Sequence, residues 1–294
     1  MARSGRAALQ DFGGNGLIAV FVPSLINPSQ ILDLDADTSL LRWLATQGVR
    51  PMLVDWGEPG PADRDDDIDA HVTRLLLPML RSIDEPFALA GYCLGGTIAL
   101  AAAHLIATVG VAAIATPWRF AGFGQPAIAA IAELWHGARP GCETMGLIPA
   151  EILQTGFWRL DPERTIAKFE RFAALPPQAD AARTFVTLED WANGGAPLTY
   201  AAGCQMFDEF FAADLPGTGR WNVSGHAIAP AALTCPMVEF VSANDRIVPA
   251  ASAIGLRDSR VLAAGHVGMI VGSRARAQLW QPLADWLCGL SPLK

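Results

Sequence analysis

The chain has 294 residues, of which 51% are hydrophobic and 17% are charged, and its formal net charge at pH 7 is −8. This length and composition predict a sizeable core in one large domain, or in one domain that carries an insertion, and they exclude wholesale disorder. The negative charge argues against a nucleic acid partner, because a phosphate backbone binds a basic face.

No segment of the sequence indicates export or membrane insertion. The apolar runs are all shorter than the roughly 18 uninterrupted residues that a transmembrane helix needs. The first residues lack the apolar segment of a signal peptide, so we expect a cytoplasmic protein. The five cysteines form no Cys-x-x-Cys pair, and no histidine lies at metal-ligand spacing from them. We therefore expect neither a metal site nor a disulfide framework.

Apolar runs typical of buried strands alternate with helix-like stretches along most of the chain. Strands are predicted at residues 16–22, 50–55, 110–116, 236–242 and 259–263, and one more runs into the glycine-rich segment at 91–96. Helices are predicted at residues 39–47, 69–83 and 275–287, and one more follows that glycine-rich segment; residues 57–67 form an acidic loop. This alternation predicts an α/β fold with a mostly parallel central sheet and right-handed crossovers.

Residues 118–232 break the alternation of strands and helices. This stretch is long, mainly helix-like, and rich in aromatic residues, proline and glycine. We interpret it as a helical cap inserted into a core that residues 1–117 and 233–294 form.

The motif that points to chemistry is Gly91-Tyr92-Cys93-Leu94-Gly95, between a strand-like and a helix-like run. It matches the Gly-x-Ser-x-Gly nucleophile turn with cysteine in place of serine, and the tight turn requires small flanking residues. The turn aims the Leu94 N–H at a bound carbonyl and puts the thiol near a helix N-terminus, which favours the thiolate. A buried cysteine in a glycine-rich turn is the alternative interpretation.

A cysteine nucleophile needs a base, and α/β-hydrolases supply it in the chain order nucleophile, acid, histidine. Asp245 follows the strand at 236–242, and His266 follows the strand at 259–263. Both should therefore lie at the carboxyl edge of the sheet, where ligands bind in such folds. Taken alone, Asp245 could equally cap a helix or a turn, and His266 could be an ordinary loop histidine.

The remaining cysteines and histidines carry no such signal. We interpret these cysteines as small buried or half-buried hydrophobic residues: Cys142, Cys204, Cys235 and Cys288. The other histidines are expected to be surface residues or hydrogen-bonded core residues: His71, His104 and His136 on helices, and His226 in a loop.

Several separated segments resemble the polyhydroxyalkanoate synthase family. These segments are Pro-Ser-Leu-Ile-Asn…Ile-Leu-Asp-Leu at 23–34, Ser-Leu-Leu-Arg-Trp-Leu at 39–44, Asp-Trp-Gly at 55–57, Gly-Tyr-Cys-Leu-Gly-Gly at 91–96, Phe-Val-Thr-Leu-Glu-Asp-Trp at 185–191, Asp-Arg-Ile-Val-Pro at 245–249 and Gly-His at 265–266. The resemblance implies an α/β-hydrolase fold in which Cys93 carries the acyl group and Asp245 and His266 are catalytic. It is nearest to the short catalytic subunits that work with a second protein, because the chain begins almost at its first predicted core strand.

The resemblance implies transfer of (R)-3-hydroxyacyl groups from coenzyme A to Cys93, and then to a hydroxyl acceptor that lengthens a polyester. Coenzyme A would enter as part of the substrate, with no resident cofactor. His266 would deprotonate first Cys93 and then the 3-hydroxyl, while Asp245 would either hold the histidine tautomer or assist hydroxyl activation. The oxyanion would lie between the Leu94 N–H and a second backbone N–H from the loop after the first strand, for which we choose Ile26.

The same features leave two other functions open. Water as the acceptor would make the protein an acyl-CoA thioesterase or esterase, and a non-catalytic member could bind polyester granules or a synthase. The polymerase interpretation predicts a homodimer or a second subunit, and a location at the granule surface. Aromatic residues of the cap would keep water from the acyl-cysteine, although core packing explains most of them: Trp118, Phe120, Phe123, Trp135, Phe157, Trp158, Phe169 and Phe172.

Overall fold

Strands and helices alternate through the computed structural model, which describes residues 2–160, 162–176 and 178–290, apart from the side chains of residues 157–160, 162, 164 and 165. The strands are β1 Arg3–Ser4, β2 Ala7–Asp11, β3 Leu17–Val22, β4 Val49–Asp55, β5 Phe87–Tyr92, β6 Val111–Ile114, β7 Leu147–Ile148, β8 Leu198–Thr199, β9 Asn222–Val223, β10 His226–Ala227, β11 Met237–Ser242 and β12 Ser259–Leu262. One sheet has eight strands in the order β1-β2-β4-β3-β5-β6-β11-β12. From β4 to β12 every pairing in it is parallel. The α/β fold predicted from the alternation is confirmed.

Two strands at the start of the chain were not predicted. β2 pairs antiparallel with β4, with Leu9 opposite Val54, and β1 pairs antiparallel with β2. The buried part of β2 is only Ala7, Ala8 and Leu9, which is too short to produce a recognisable periodic pattern. β3 is therefore an inner strand of the sheet, and two strands of the same sheet precede the first strand that was predicted.

The helices of the core flank the sheet. They are α1 Leu40–Ala45, α2 formed by the consecutive segments Ile68–Ala70, His71–Leu76 and Leu77–Arg81, α3 Leu94–Leu105, α9 Gly268–Val271, and α10 formed by Arg276–Trp280 and Gln281–Cys288. The Ser39 hydroxyl accepts from the Arg42 N–H at the start of α1, and Asp67 accepts from the Ala70 N–H at the start of α2. These side chains satisfy amide groups that a helix N-terminus otherwise leaves unpaired.

Residues 118–232 are mainly helical and add no described strand to the eight-stranded sheet. Their helices are α4 Gln125–Met145, α5 Ala150–Leu160, α6 Pro162–Ala173, α7 Asp180–Asn193 and α8 formed by Tyr200–Cys204 and Gln205–Ala212. β7 with β8 and β9 with β10 make two small antiparallel pairs. The division into a core and a cap stays a prediction.

Apolar side chains cover both faces of the sheet. Val20 and Leu89 belong to the cluster on one face, and Phe21 and Ala90 belong to the cluster on the other. Successive side chains of a strand point to opposite faces, so continuous apolar runs such as β3 indicate burial on both sides. Within the described ranges, no helix combines the length and the apolar character needed to cross a membrane.

Candidate active site

The predicted nucleophile turn joins β5 to α3. Cys93 lies between them with φ 56° and ψ −134°, a backbone conformation that is strained for a residue with a side chain. A Cβ on Gly91 would collide with Gly96, and one on Gly95 would collide with the carbonyls of Val22 and Pro23. The small flanking residues are therefore required by the turn, as predicted.

The structure brings His266 and Asp245 together beside this turn. His266 Nδ1 lies 2.6 Å from Asp245 Oδ2, and the two side chains are 7% and 0% exposed. The other carboxylate oxygen of Asp245 accepts the N–H groups of Ile247 and Val248, at 2.8 and 2.9 Å. Asp245 thus both stabilises its own turn and orients the imidazole. Cys93 lies close enough to His266 to raise the pKa of its imidazole.

The charge state of His266 depends on these two partners. Burial alone lowers the pKa of the imidazole, but the interaction with Cys93 and the hydrogen bond to Asp245 outweigh it and raise the pKa to about 10. Tyr92 stacks on the ring, with centroids 5.0 Å apart and an interplanar angle of 27°, and its Oη donates to the His266 carbonyl at 3.2 Å. Burial raises the pKa of the Tyr92 phenol, so this donor stays protonated.

A cavity of about 190 Å³ opens above Cys93 and His266. The core contributes the loop after β3 and the neighbours of His266, and helices α5, α6 and α7 contribute these residues: Gln154, Lys168, Glu189, Trp191, Ala192 and Asn193. Lys168 Nζ pairs with both Glu189 carboxylate oxygens at 2.7 and 2.8 Å. The wall from residues 118–232 is therefore largely polar.

The aromatic residues expected to keep water from this cavity lie elsewhere in the protein. Trp118, Phe120 and Trp135 are buried in the apolar core, and Phe123 lines a separate apolar cavity of about 240 Å³. Phe169 and Phe172 contact Phe185. The side chains of Phe157 and Trp158 lie outside the described residues. The core-packing interpretation therefore holds for Trp118, Phe120 and Trp135 but not for exposed Phe169. None of the described members of this set lines the cavity at Cys93.

The two predicted oxyanion donors differ in their surroundings. Leu94 is the first residue of α3, where a helix leaves its N–H without an intrahelical partner. The Ile26 N–H, in contrast, donates to Ser24 Oγ at 3.1 Å, and Ile26 lines the neighbouring cavities rather than the one at Cys93. The role predicted for Ile26 is therefore not supported by its contacts, because a side chain two residues earlier uses its amide group.

Two indole groups hold the loop that carries Ser24 and Ile26. Trp56, which follows β4, donates from Nε1 to the Pro23 carbonyl at 3.1 Å. Trp191, at the end of α7, donates from Nε1 to the Pro28 carbonyl at 2.8 Å. The sequence analysis quoted both tryptophans in segments that resemble the synthase family but gave them no role. Both tryptophans lie outside the loop in sequence, so no local pattern indicated that they contact it. The Lys168–Glu189 pair likewise gives no local signal in the sequence.

The remaining predicted residues are distributed as follows. Cys142 is buried and Cys204 and Cys235 are half-buried, as predicted, whereas Cys288 is exposed, because residues 281, 285 and 288 form the solvent-facing side of α10. His71 is buried, His104 is half-buried, and His136 and His226 are exposed. His226 lies in the short strand β10 rather than in a loop. No group of three His, Cys, Asp or Glu residues suited to a metal occurs within the described part of the chain.

Comparison with known proteins agrees with this geometry. A family model described as the alpha/beta hydrolase family matches residues 19–280. The chain belongs to this family. Among solved structures, a thermophilic esterase from Thermogutta terrifontis superposes with a TM-score of 0.60 at 17% identity, covering 97% of both chains. A monoacylglycerol lipase from Paleococcus ferrophilus has the same TM-score at 16% identity, covering 99% of this chain and 100% of its own. These likenesses show the fold.

Curated relatives confirm the resemblance to polyhydroxyalkanoate synthases. The poly(3-hydroxyalkanoate) polymerase subunit PhaC of Haloferax mediterranei is 26% identical over 290 residues, covering 91% of this chain and 58% of that protein. The subunit of the same name from Allochromatium vinosum is 25% identical over 285 residues, covering 91% of this chain and 79% of its own. The chain spans 58% and 60% of the lengths of the haloarchaeal relatives from Haloferax mediterranei and Haloarcula marismortui.

Proposed function

We propose that this chain is a polyhydroxyalkanoate synthase-like acyltransferase with a Cys93–His266–Asp245 catalytic triad. The observation that carries the proposal is the buried hydrogen bond between His266 and Asp245, with His266 and Cys93 lining the same cavity at the carboxyl edge of the sheet. The substrate class is supported by the names of the curated relatives, and we propose (R)-3-hydroxyacyl-CoA as donor and a polyester as product.

In the first step, the Cys93 thiolate attacks the thioester carbonyl carbon of the acyl-CoA. A new carbon–sulfur bond forms, the bond to the coenzyme A sulfur breaks, and that sulfur leaves with the proton of the His266 imidazolium. One thioester replaces another, so the step is close to thermoneutral. The raised pKa of His266 supports a thiolate–imidazolium pair as the resting form.

In the second step, neutral His266 takes the proton of an incoming 3-hydroxyl group, and the hydroxyl oxygen attacks the carbonyl carbon of the Cys93 thioester. An ester forms and the Cys93 thiolate leaves, which restores the ion pair. Acylation keeps His266 neutral for this step, because the interaction with Cys93 is one cause of the raised His266 pKa and acylation removes the charge of the thiolate. The neutral imidazole left by the first step can then accept the hydroxyl proton as the base.

The surroundings of the triad suggest how this reaction is organised in the chain. We extend the proposal to residues 118–232 as a cap that covers the site, and to residues 1–117 and 233–294 as the catalytic core. Polymerisation would also involve association, as a homodimer or with a second subunit, at the surface of polyester granules. Exposed Ile166, Phe169 and Val186 on α6 and α7 support an interaction surface near the cap.

One incubation tests the function. Purified protein is mixed with (R)-3-hydroxybutyryl-CoA, free coenzyme A is quantified by chromatography, and the acyl product is separated into soluble acid and insoluble polyester. We expect coenzyme A release with an insoluble product, and no release by the Cys93→Ala variant. Soluble 3-hydroxybutyrate as the main product would instead identify a thioesterase, and equal release by Cys93→Ala would contradict the triad.

A further inference from the structure

Ser24 is a buried polar residue that the predicted mechanism does not use. It lines the cavity that contains Cys93 and His266, and it is 8% exposed. The sheet register brings it close to the nucleophile: Val22 pairs with Gly91, and Ser24 and Cys93 each lie two residues beyond their member of this pair. Gly95, in the first turn of α3, packs directly on the Pro23 carbonyl.

The Ser24 hydroxyl can donate a hydrogen bond into the cavity, because its oxygen already accepts one. Its Oγ accepts the Ile26 N–H at 3.1 Å, which uses a lone pair and leaves the hydroxyl hydrogen. No acceptor for that hydrogen is recorded among the described residues. A hydroxyl that accepts one hydrogen bond becomes a stronger donor in the next, because hydrogen bonds in a chain polarise one another.

We propose that the Ser24 hydroxyl, polarised by the Ile26 N–H, donates the second hydrogen bond to the oxyanion, alongside the Leu94 N–H. Ile26 then contributes indirectly, through Ser24 rather than by contact with the substrate. This inference rests on the proposed function, because an oxyanion forms at this point only when Cys93 or a hydroxyl group attacks a thioester. Side-chain donors of this kind replace a backbone N–H in other oxyanion sites.

The loop has the rigidity that such a donor needs. Indole N–H groups of Trp56 and Trp191 hold the carbonyls of Pro23 and Pro28, one on each side of Ser24. A donor fixed before the reaction loses little reorganisation energy when charge develops on the oxygen. Since Trp191 lies on α7, the position of the Ser24 loop also depends on the helices above the cavity.

The test compares Ser24→Ala with wild type and with Ser29→Ala, a serine that follows the same loop but lines a different cavity. The first turnover of (R)-3-hydroxybutyryl-CoA is followed by rapid quench and chromatography of coenzyme A. We expect Ser24→Ala to slow Cys93 acylation by about 10²-fold, the usual effect of removing one oxyanion donor. Ser29→Ala should acylate at the wild-type rate, and Ser24→Thr, which keeps the hydroxyl, should retain most of the rate.

Alkylation of Cys93 by iodoacetamide separates this role from general damage. Alkylation produces no oxyanion, so its rate in Ser24→Ala should stay within about twofold of wild type. An equal fall in alkylation and acylation would overturn the proposal in favour of a displaced Cys93. Unchanged or faster acylation in Ser24→Ala would also overturn it, because the freed Ile26 N–H would then be the donor. A wild type that forms no acyl-Cys93 would overturn the proposed function together with this inference, whereas the other outcomes leave the function standing.

Discussion

Two buried histidines lie in different regions of the molecule and have opposite proton affinities. His266 lies at the carboxyl edge of the sheet beside Cys93, and His71 lies in α2 beside the N-terminal strands. The two residues are 8% and 3% exposed. The pKa of His266 is raised to about 10, whereas that of His71 is lowered to about 4.

The partners of each ring explain the difference. His266 lies beside Cys93 and Asp245, and its interactions with both raise its pKa. His71 donates from Nδ1 to the Asp67 carbonyl at 2.6 Å, and its Nε2 lies 2.8 Å from a nitrogen of the Arg6 guanidinium, so Nε2 must accept. Burial lowers the His71 pKa most, and the charge of Arg6 lowers it further.

Each ring also packs on an aromatic residue, but in a different orientation. Tyr92 stacks on His266 at an interplanar angle of 27°, whereas Trp56 meets His71 edge-on at 74° and 5.7 Å. The negative face of an aromatic ring stabilises a cation, so the stacked arrangement suits an imidazolium. Burial is common to both histidines. The charge of the partner, and not burial, therefore decides which histidine can exchange a proton with a nucleophile.

The largest expected effect is on catalysis, in matched replacements of the two histidines. His266→Gln should lower the rate of coenzyme A release by about 10³-fold or more, because both half-reactions lose their proton carrier. His71→Gln should change the rate by less than about threefold, because His71 reaches neither Cys93 nor Asp245 in the described contacts. Steady-state assays with (R)-3-hydroxybutyryl-CoA measure both. Comparable losses in the two variants would contradict the assignment of roles.

A second effect concerns the pH dependence of the Cys93 thiolate. Because the pKa of His266 is raised to about 10, an imidazolium lies beside Cys93 at pH 6, and we expect iodoacetamide to alkylate Cys93 there faster than it alkylates exposed Cys288. In His266→Gln the thiol is left without this partner, and its alkylation should fall about tenfold for each pH unit below the free-thiol pKa of about 8.5. Peptide mapping by mass spectrometry distinguishes Cys93 from exposed Cys288. Parallel pH profiles in the two proteins would argue against the ion pair.

These two sites show which features can be predicted from the sequence. The nucleophile turn follows a continuous apolar strand, Asp245 and His266 follow strands that the alternation predicts, and the rule that parallel strands end at one edge brings them together. β3 and β11 were predicted because an apolar run bounded by turn residues has a clear local signal. β2 has three buried residues and gives no such signal.

The features that could not be predicted from the sequence depend on side chains that come into contact only in the folded chain. The hydrogen bond from Ile26 to Ser24 is a detail of one loop conformation, and no periodicity reports it. Trp191 and the Lys168–Glu189 pair reach the cavity because helices far along the chain pack over it. The Nε2 partner of His71, Arg6, comes from the connection between the unpredicted first strands, so neither the neutral state nor the tautomer of His71 could be anticipated.

A third effect concerns the free energy of unfolding, which should depend on pH through His71. Its folded-state pKa of about 4 lies below the ordinary value of 6.5, so the folded protein binds fewer protons than the unfolded chain between these values. The stability contribution is therefore fully present above pH 6.5 and is lost as the pH falls to about 4, with a size of roughly 3 kcal/mol. Urea unfolding of wild type and His71→Gln should show wild type losing more stability over this interval. A constant difference between them across the interval would mean that His71 does not titrate as inferred.

The smallest effect concerns Tyr92, which we regard as a positioning residue for His266. Tyr92→Phe keeps the stacked ring and removes only the hydrogen bond to the His266 carbonyl, so we expect a loss of about 1 kcal/mol in stability and less than about threefold in kcat. Tyr92→Leu also removes the aromatic face, and should lower kcat by a further factor of about ten with little change in KM. The informative measurement is the pH profile of Cys93 alkylation. If the ring stabilises the imidazolium, the profile of Tyr92→Leu shifts toward that of His266→Gln, while Tyr92→Phe follows wild type. If both variants keep the wild-type profile, the stacked ring only fills space, and the contrast with edge-on Trp56 at His71 has no electrostatic meaning.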